Sequence, residues 1–473
     1  MGGAGQSEGR FAAYVESLAS VLGHAGRSGP LLDYCTGLLM PGERKSVEPI
    51  ASVVSPARTS ATHQSLLHFV GQSPWSDEAL LAKVRAEAAP AFDAQGGVEA
   101  WIVDDTGFPK KGSHSVGVAR QYCGRLGKTD NCQIAVTLSI ANHHVSLPIA
   151  YRLYLPEDWA KDVERRQKAH VPEEVEFRTK PQIALAQIAV AAKAGVAPGI
   201  VLGDAGYGSD GGFRAGVSAL GLIYGVGVQS TLSVWPPGEG PLPPKSWSGG
   251  RGRKPSRLRH DAEHRPVSAK TLAMRLLPAE AWTNVEWREG SNETLSSRFA
   301  AVRVRPSARD HTLTEPHPVE WLVIEWPEGE AEPTKYWLST LPEDTPLAAL
   351  VDALKLRWRI ERDYEELKSE LGLDHFEGRG WRGFHHHASL CIAAYGFLIL
   401  ERSALPPQPA GAAQNLPFPA VPDPHAPPVR TERHVANSIA TIRKRLTIAL
   451  AKSLYRCPCC QAVSRRRNFH QRL

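Results

Sequence analysis

A chain of 473 residues with 42% hydrophobic content is too long for one ordinary domain and apolar enough to bury a sizeable core, so two to four domains are expected. No run of 18 apolar residues occurs, Met1 to Glu8 lacks a charged-then-apolar leader pattern, and seven mostly scattered cysteines fit a reducing cytoplasm better than a disulfide framework. The net charge of +6 is lopsided: residues 430–473 hold eleven Lys/Arg against one acid, Glu432, a net of +10 that leaves −4 for the other 429 residues. A basic tail of that kind favours nucleic acid as partner over a merely solubilising role, and no membrane partner is expected.

Residues 10–95 read as helical, with apolar residues at helical spacing over Phe11 to Leu22 and Ser65 to Val70, and a helix start at Ser76-Asp77-Glu78. Such short helices with basic turns suit a DNA-binding bundle or a structural one. Residues 98–230 carry β-type runs at 101–103, 133–140, 145–153, 199–203 and 222–228, with helices at 180–194 and 210–219. That pattern predicts an α/β or mixed-sheet core, whose ligands bind near the carboxyl ends of strands. Asp104 and Asp204 close two of these runs. From 231 to 345 a Pro/Gly-rich loop precedes strand-like stretches at 270–276, 298–305, 320–325 and 335–339, read as a β-rich insertion. One long helix is expected over 346–375, ending near Gly372, and an apolar helix over 385–402. Nine prolines between Pro406 and Pro428 mark a stiff linker before the basic C-terminal segment.

Three carboxylates from distant segments suit a pair of Mg²⁺ ions, which take hard oxygen ligands and can serve the attacking and leaving oxygens of a phosphodiester. Taken singly, Asp104-Asp105-Thr106 and Asp204-Ala205-Gly206 are better explained as turns. Adjacent side chains on a strand face opposite ways, so only one of Asp104 and Asp105 can serve a given site. Arg357, Glu361 and Lys368 fall within about 40° of one another on a helix, hence on one face, with Glu365, Glu366 and Glu370 as rivals for the acidic role. Intrahelical ion pairs are the plain alternative.

Leu354-x2-Arg357-x3-Glu361-x6-Lys368 resembles the Y-x2-R-x3-E-x6-K signature of DDE transposases of bacterial insertion sequences. Asp104-Asp105-Thr106 and Asp204-Ala205-Gly206-Tyr207 are similar to that family's first and second Asp motifs. The resemblance spans roughly residues 98–403. It implies an α/β, RNase H-like mixed-sheet catalytic core interrupted by a β-rich insertion. The segments would then be a helical DNA-binding unit (1–95), core (96–230), insertion (231–345), core with the Glu helix (346–403), linker (404–429) and basic DNA-contacting segment (430–473). It implies cut-and-paste transposition by a bacterial, cytoplasmic, nucleoid-associated enzyme. Asp104, Asp204 and Glu361 would hold two Mg²⁺, with Mn²⁺ able to substitute, and a homodimer would synapse two terminal inverted repeats and join their 3′-OH ends to target DNA. Leu354 departs from the signature, because a phosphate-contacting hydroxyl is missing there. The rival readings are a catalytically silent DNA-binding regulator and a metal-dependent nuclease without strand transfer.

Arg357 and Lys368 would clamp phosphates, and Lys110, Lys111 and Arg120 would track a DNA backbone. Arg251 and Arg253 resemble a minor-groove hook, with a mobile basic linker as the stronger reading. Trp282 and Trp287 are base-stacking candidates, with core packing the stronger reading. Arg379, Arg382 and His385-His386-His387 suggest a basic helix start touching phosphate. Arg465, Arg466 and Arg467 add basic tail contacts. Cys457, Cys459 and Cys460, with His470, lack the usual zinc pair spacing, so Zn²⁺ there is the lesser reading.

Overall fold

The computed structural model describes residues 3–247, 249, 253–288, 294–405 and 437–454, with side chains from Gln6 onward. Five helices come first: α1 (Gly3–Ala19), α2 (Ser28–Leu39), α3 (Val47–Val54), α4 (Thr59–Gly71) and α5 (Asp77–Asp93). α5 starts where its sequence puts a start, with the Ser76 hydroxyl accepting from the Ala79 N–H and Asp77 and Glu78 in the positive first turn.

The sheet follows with β1 (Ala100–Pro109), β2 (Ala119–Cys123), β3 (Lys128–Ala141) and β4 (Ser146–Leu153). Then come α6 (Glu157–Lys161), α7 (Val163–Lys168), α8 (Lys180–Lys193), β5 (Ile200–Gly203), α9 (Ala205–Gly208), α10 (Gly211–Ala219) and β6 (Tyr224–Val228). β3 lies antiparallel to both β1 and β4, while β5 runs parallel to β1 and β6 parallel to β5. The spatial order is therefore β4-β3-β1-β5-β6.

β7 (Ser233–Trp235), β8 (Val267–Ser268), α11 (Ala269–Thr271), β9 (Thr283–Arg288), β10 (Thr294–Pro306), β11 (Glu320–Trp326) and β12 (Lys335–Ser339) come next. β12 pairs with β6, so these strands prolong the same sheet through β12, β11 and β10. The chain then forms α12 (Leu347–Lys355), α13 (Trp358–Leu371), α14 (Trp381–Ser403) and α15 (Ile439–Leu450).

Three sequence expectations change. The run at 101–103 does not stop before Asp104: β1 continues to Pro109, because β3 offers an unbroken partner, with Asp104 opposite Thr137 and Asp105 opposite Val136. Residues 270–276 are helical, not extended. Ser268 caps Thr271, and α11 runs into a π-helical turn over Leu272–Leu276 that buries Leu272 and Ala273. The helix expected over 346–375 is two helices. The turn tightens at Leu356–Arg357, with Arg359 N–H bonding Leu356 O at 3.1 Å, where Lys355 is held by Glu325 and Arg357 by Asp104. α13 stops at Leu371 because Gly372 takes the left-handed conformation, φ +69°.

Two main clusters form the core of the described residues, one on each face of β1, beside a small third of Cys123, Cys132 and Ile134. Trp101 and Val103 join the large cluster that includes α1–α5, α8, β3, β4 and α14, and Ala100 and Ile102 join a second with α12, α13, Phe299 and Trp337. α14 is buried from Phe384 to Ile399 and packs on α2, α4, α5, α15 and β4. Among the described residues no helix is long and apolar enough to cross a membrane.

Candidate active site

Strand alternation decides which aspartate of the doublet faces which helix. Asp104 and Thr106 face α13, where Asp104 Oδ2 accepts from the Arg357 guanidinium at 3.0 Å and Thr106 Oγ1 accepts from Lys368 Nζ at 2.6 Å. Asp105 points the other way and accepts from Lys180 Nζ of α8 at 2.8 Å and from the Tyr207 hydroxyl at 3.4 Å. Asp204 follows β5 directly and caps α9, its Oδ1 accepting from the Gly206 N–H at 2.8 Å. Glu361, one turn into α13, accepts from the same Arg357 guanidinium at 2.6 Å. Thus one cation bridges a carboxylate of β1 and a carboxylate of α13.

Exposure grades across this group: the Asp104 side chain is 14% exposed, Arg357 25% and Glu361 62%. Burial is the main force pushing Asp104 up to about 7; Arg357 opposes it, while the negative charges of Asp204 and Asp105 add to it. Burial works against the Arg357 cation, but Asp104, Glu361 and Asp204 outweigh it and raise its pKa. Lys368 is lowered to about 8 by burial and by Arg125. A cleft of about 630 Å³ opens beside Asp204, Arg357 and Glu361, walled by Trp337, Lys355 and Trp358. Behind it Lys355 and Glu325 form a buried ion pair at 2.9 Å, and the Lys355 ammonium lies 4.0 Å from the centre of the Trp287 ring.

Among the described residues no three His, Cys, Asp or Glu side chains stand close enough together, as placed, to hold a metal ion. The donor chemistry nevertheless fits a hard divalent cation: every donor is carboxylate oxygen, and Asp104, Asp204 and Glu361 all draw on the single Arg357 charge.

The other sequence candidates are dispersed. Lys111, Arg120, Arg253, Arg379 and Arg382 are exposed, and Arg382 donates to the Gln72 carbonyl. Lys110 is half-buried and donates to the Phe376 carbonyl at 2.9 Å. Trp282 is half-buried edge-on to Trp326. For Trp287 the stronger reading, core packing, is what the structure has, and for the histidine run the expectation is corrected. Trp287 has no free face for a base, since it is buried against Phe299 and Lys355. His385, His386 and His387 do not touch phosphate, because α14 is enclosed on all sides there. His385 and His386 bond to backbone groups, and His387 to the Tyr34 hydroxyl and the Gly372 carbonyl. Arg251, Arg465, Arg466, Arg467, Cys457, Cys459, Cys460 and His470 lie outside the described residues, as do the linker prolines.

Leu354 is buried under the cleft, so close to β6 that a Cβ at Gly225 would collide with it. Sequence reasoning missed Lys180, whose contact with Asp105 spans 75 residues and leaves no local spacing to read. Tyr207 had a signal, its place in the Asp204 turn.

Comparison with known proteins places the chain in a family. The family model described as DDE superfamily endonuclease matches residues 17–294, more than half of the chain, a span that includes Asp104 and Asp204 and ends before Glu361. A protein of Microchaete diplosiphon named "Probable transposase for insertion sequence element IS701" is 34% identical over 199 residues, covering 42% of this chain and 48% of that protein. The chain thus spans about half the length of the curated relative it matches. With a family match across more than half its length, and acidic side chains of β1, the β5 end and α13 gathered about Arg357, the chain belongs to the DDE superfamily endonucleases.

Proposed function

We propose that this endonuclease is the transposase of an insertion sequence. It would bind the element's terminal inverted repeats, cut DNA at their ends and join the freed 3′-OH ends to target DNA. The observation that carries this is the disposition of Asp104, Asp204 and Glu361, from three separate elements, about Arg357. The relative's name supports transposition over a nuclease that never joins ends. The order β4-β3-β1-β5-β6, with three antiparallel strands followed by two parallel ones, supports an RNase H-like core.

Asp104, Asp204 and Glu361 would hold two Mg²⁺ ions, which supply an activated attacking oxygen and stabilise the leaving one. The chain's own residues do the positioning. Lys368 ties α13 to β1 through Thr106, fixing the height of Glu361 above Asp104. Lys180 neutralises Asp105 on the far side of β1 and so limits the negative charge crowding Asp104. Arg357 presents a forked donor to a scissile phosphate. Exposed Lys111, Arg120, Arg379 and Arg382 would track the DNA backbone, with two protomers synapsing two ends.

The test is a gel assay with purified protein, Mg²⁺, labelled duplex carrying the element's inverted repeats, and a target plasmid. Cleaved and joined products are expected, both lost in Asp104→Asn and in Asp204→Asn. Binding without cleavage would identify a regulator, and cleavage without joining a nuclease.

A further inference from the structure

Arg357 donates to Asp104 Oδ2 at 3.0 Å and to Glu361 Oε1 at 2.6 Å, and these two carboxylates are among the three proposed above to hold a divalent cation. A guanidinium fork and a metal ion cannot both use the same lone pairs at full strength. We infer that Arg357 is a built-in competitor of the divalent cation, holding the two carboxylates closed until a metal takes them and frees the guanidinium for phosphate. This rests on the carboxylate reading of the site.

Three observations support a competition rather than a passive ion pair. Arg357 links two elements, β1 and α13, so its contacts set their spacing. Its backbone sits at the N-cap of α13, in the tightened turn after α12, and its side chain caps no helical N–H, which leaves the guanidinium for the carboxylates. The 630 Å³ cleft beside it, reaching Ser230 and Lys335, gives the released side chain somewhere to go. The two events are then linked by reciprocity: whatever draws Arg357 away raises cation affinity, and a bound cation raises the affinity of Arg357 for phosphate by the same factor.

Mn²⁺ binding to the full chain, measured by calorimetry and by the electron-spin signal of free Mn²⁺, tests this without any activity readout. Arg357→Gln is expected to bind Mn²⁺ about tenfold more tightly than the parent, within the range of ordinary coupling between sites. Adding Asp104→Asn to that variant should erase the gain. Arg357→Lys keeps the charge but loses the fork, so it should recover part of the gain. If Arg357→Lys binds as weakly as the parent, charge alone explains the effect and the competition for oxygens is overturned. If Arg357→Gln gains nothing while Asp104→Asn weakens binding, the competition fails and the carboxylate reading stands. If Asp104→Asn changes nothing in either background, the carboxylate reading itself fails.

Discussion

Adjacent residues on β1 carry the same functional group and meet opposite fates. Asp104 looks toward α13 and shares Arg357 with Glu361, whereas Asp105 looks toward α8 and is neutralised by Lys180. Strand parity made that split legible in the sequence, though not its direction, which depends on how β1 is turned between two cores. Helix phase put Glu361 on the Arg357 face but left Glu365, about 40° away, as a rival, and their surroundings tell the glutamates apart. Glu365 is exposed and paired with Arg362, and Glu366 is buried and accepts from Tyr395 at 2.7 Å on another face. Glu361→Gln is therefore expected to lower Mg²⁺-dependent cleavage by at least about 100-fold, the scale of losing one group that stabilises developing charge. Glu365→Gln should stay within about twofold, since an exposed pair is worth little. Single-turnover cleavage rates compare the two, and equal losses would reassign the glutamate.

At the level of elements, α14 shows how burial overrides composition. Three consecutive histidines suggest a wet, basic helix start, yet the helix is enclosed, and burial lowers His386 and His387 from 6.5 to about 4. Their protons are thus taken up by the unfolded chain before the folded one. As pH falls from 6.5 toward 4, stability is lost, on the order of a few kcal/mol for the pair. Denaturant midpoints at pH 7.5 and 5 should show this loss, and His387→Gln should shrink it. An acid limb of equal depth in that variant would place the loss elsewhere.

The α12–α13 junction was illegible for a related reason. No Gly or Pro marks the break, because it is set by two side chains bound in different directions, Lys355 to Glu325 and Arg357 to Asp104. Strands with clear apolar runs were readable; β1 beyond Val103 was not, since its ladder to β3 holds residues of poor strand preference. Lys355→Met leaves Glu325 buried without its lysine and should cost about 3–5 kcal/mol in unfolding free energy. The double variant with Glu325→Met should recover most of it, and a purely additive pair would show that the two groups are not coupled.

For the whole molecule, the N-terminal helices and the sheet are not separate masses. α1–α5, β3, β4 and α14 contribute to one continuous core, and Arg10 of α1 is paired with Glu401 of α14 at 2.7 Å. A chain begun at residue 96 would expose the buried flank of α14, and it is expected to be insoluble or to run as aggregate on size exclusion. A soluble monomer would show that 1–95 is an independent unit. Apolar spacing foresaw helices there, but which surface they would cover was beyond any local pattern, since their partners lie some 300 residues downstream.

α1 also packs against α15, a segment reaching Leu450, so a helix rests on one made long after it. At typical synthesis speeds of about 5–20 residues per second, α1 waits roughly 20–90 s on the ribosome before that neighbour exists. During this interval its apolar stripe of Phe11, Val15 and Leu18 has only part of its native cover. The growing polypeptide is therefore exposed to chaperones, and to other nascent copies, throughout that interval.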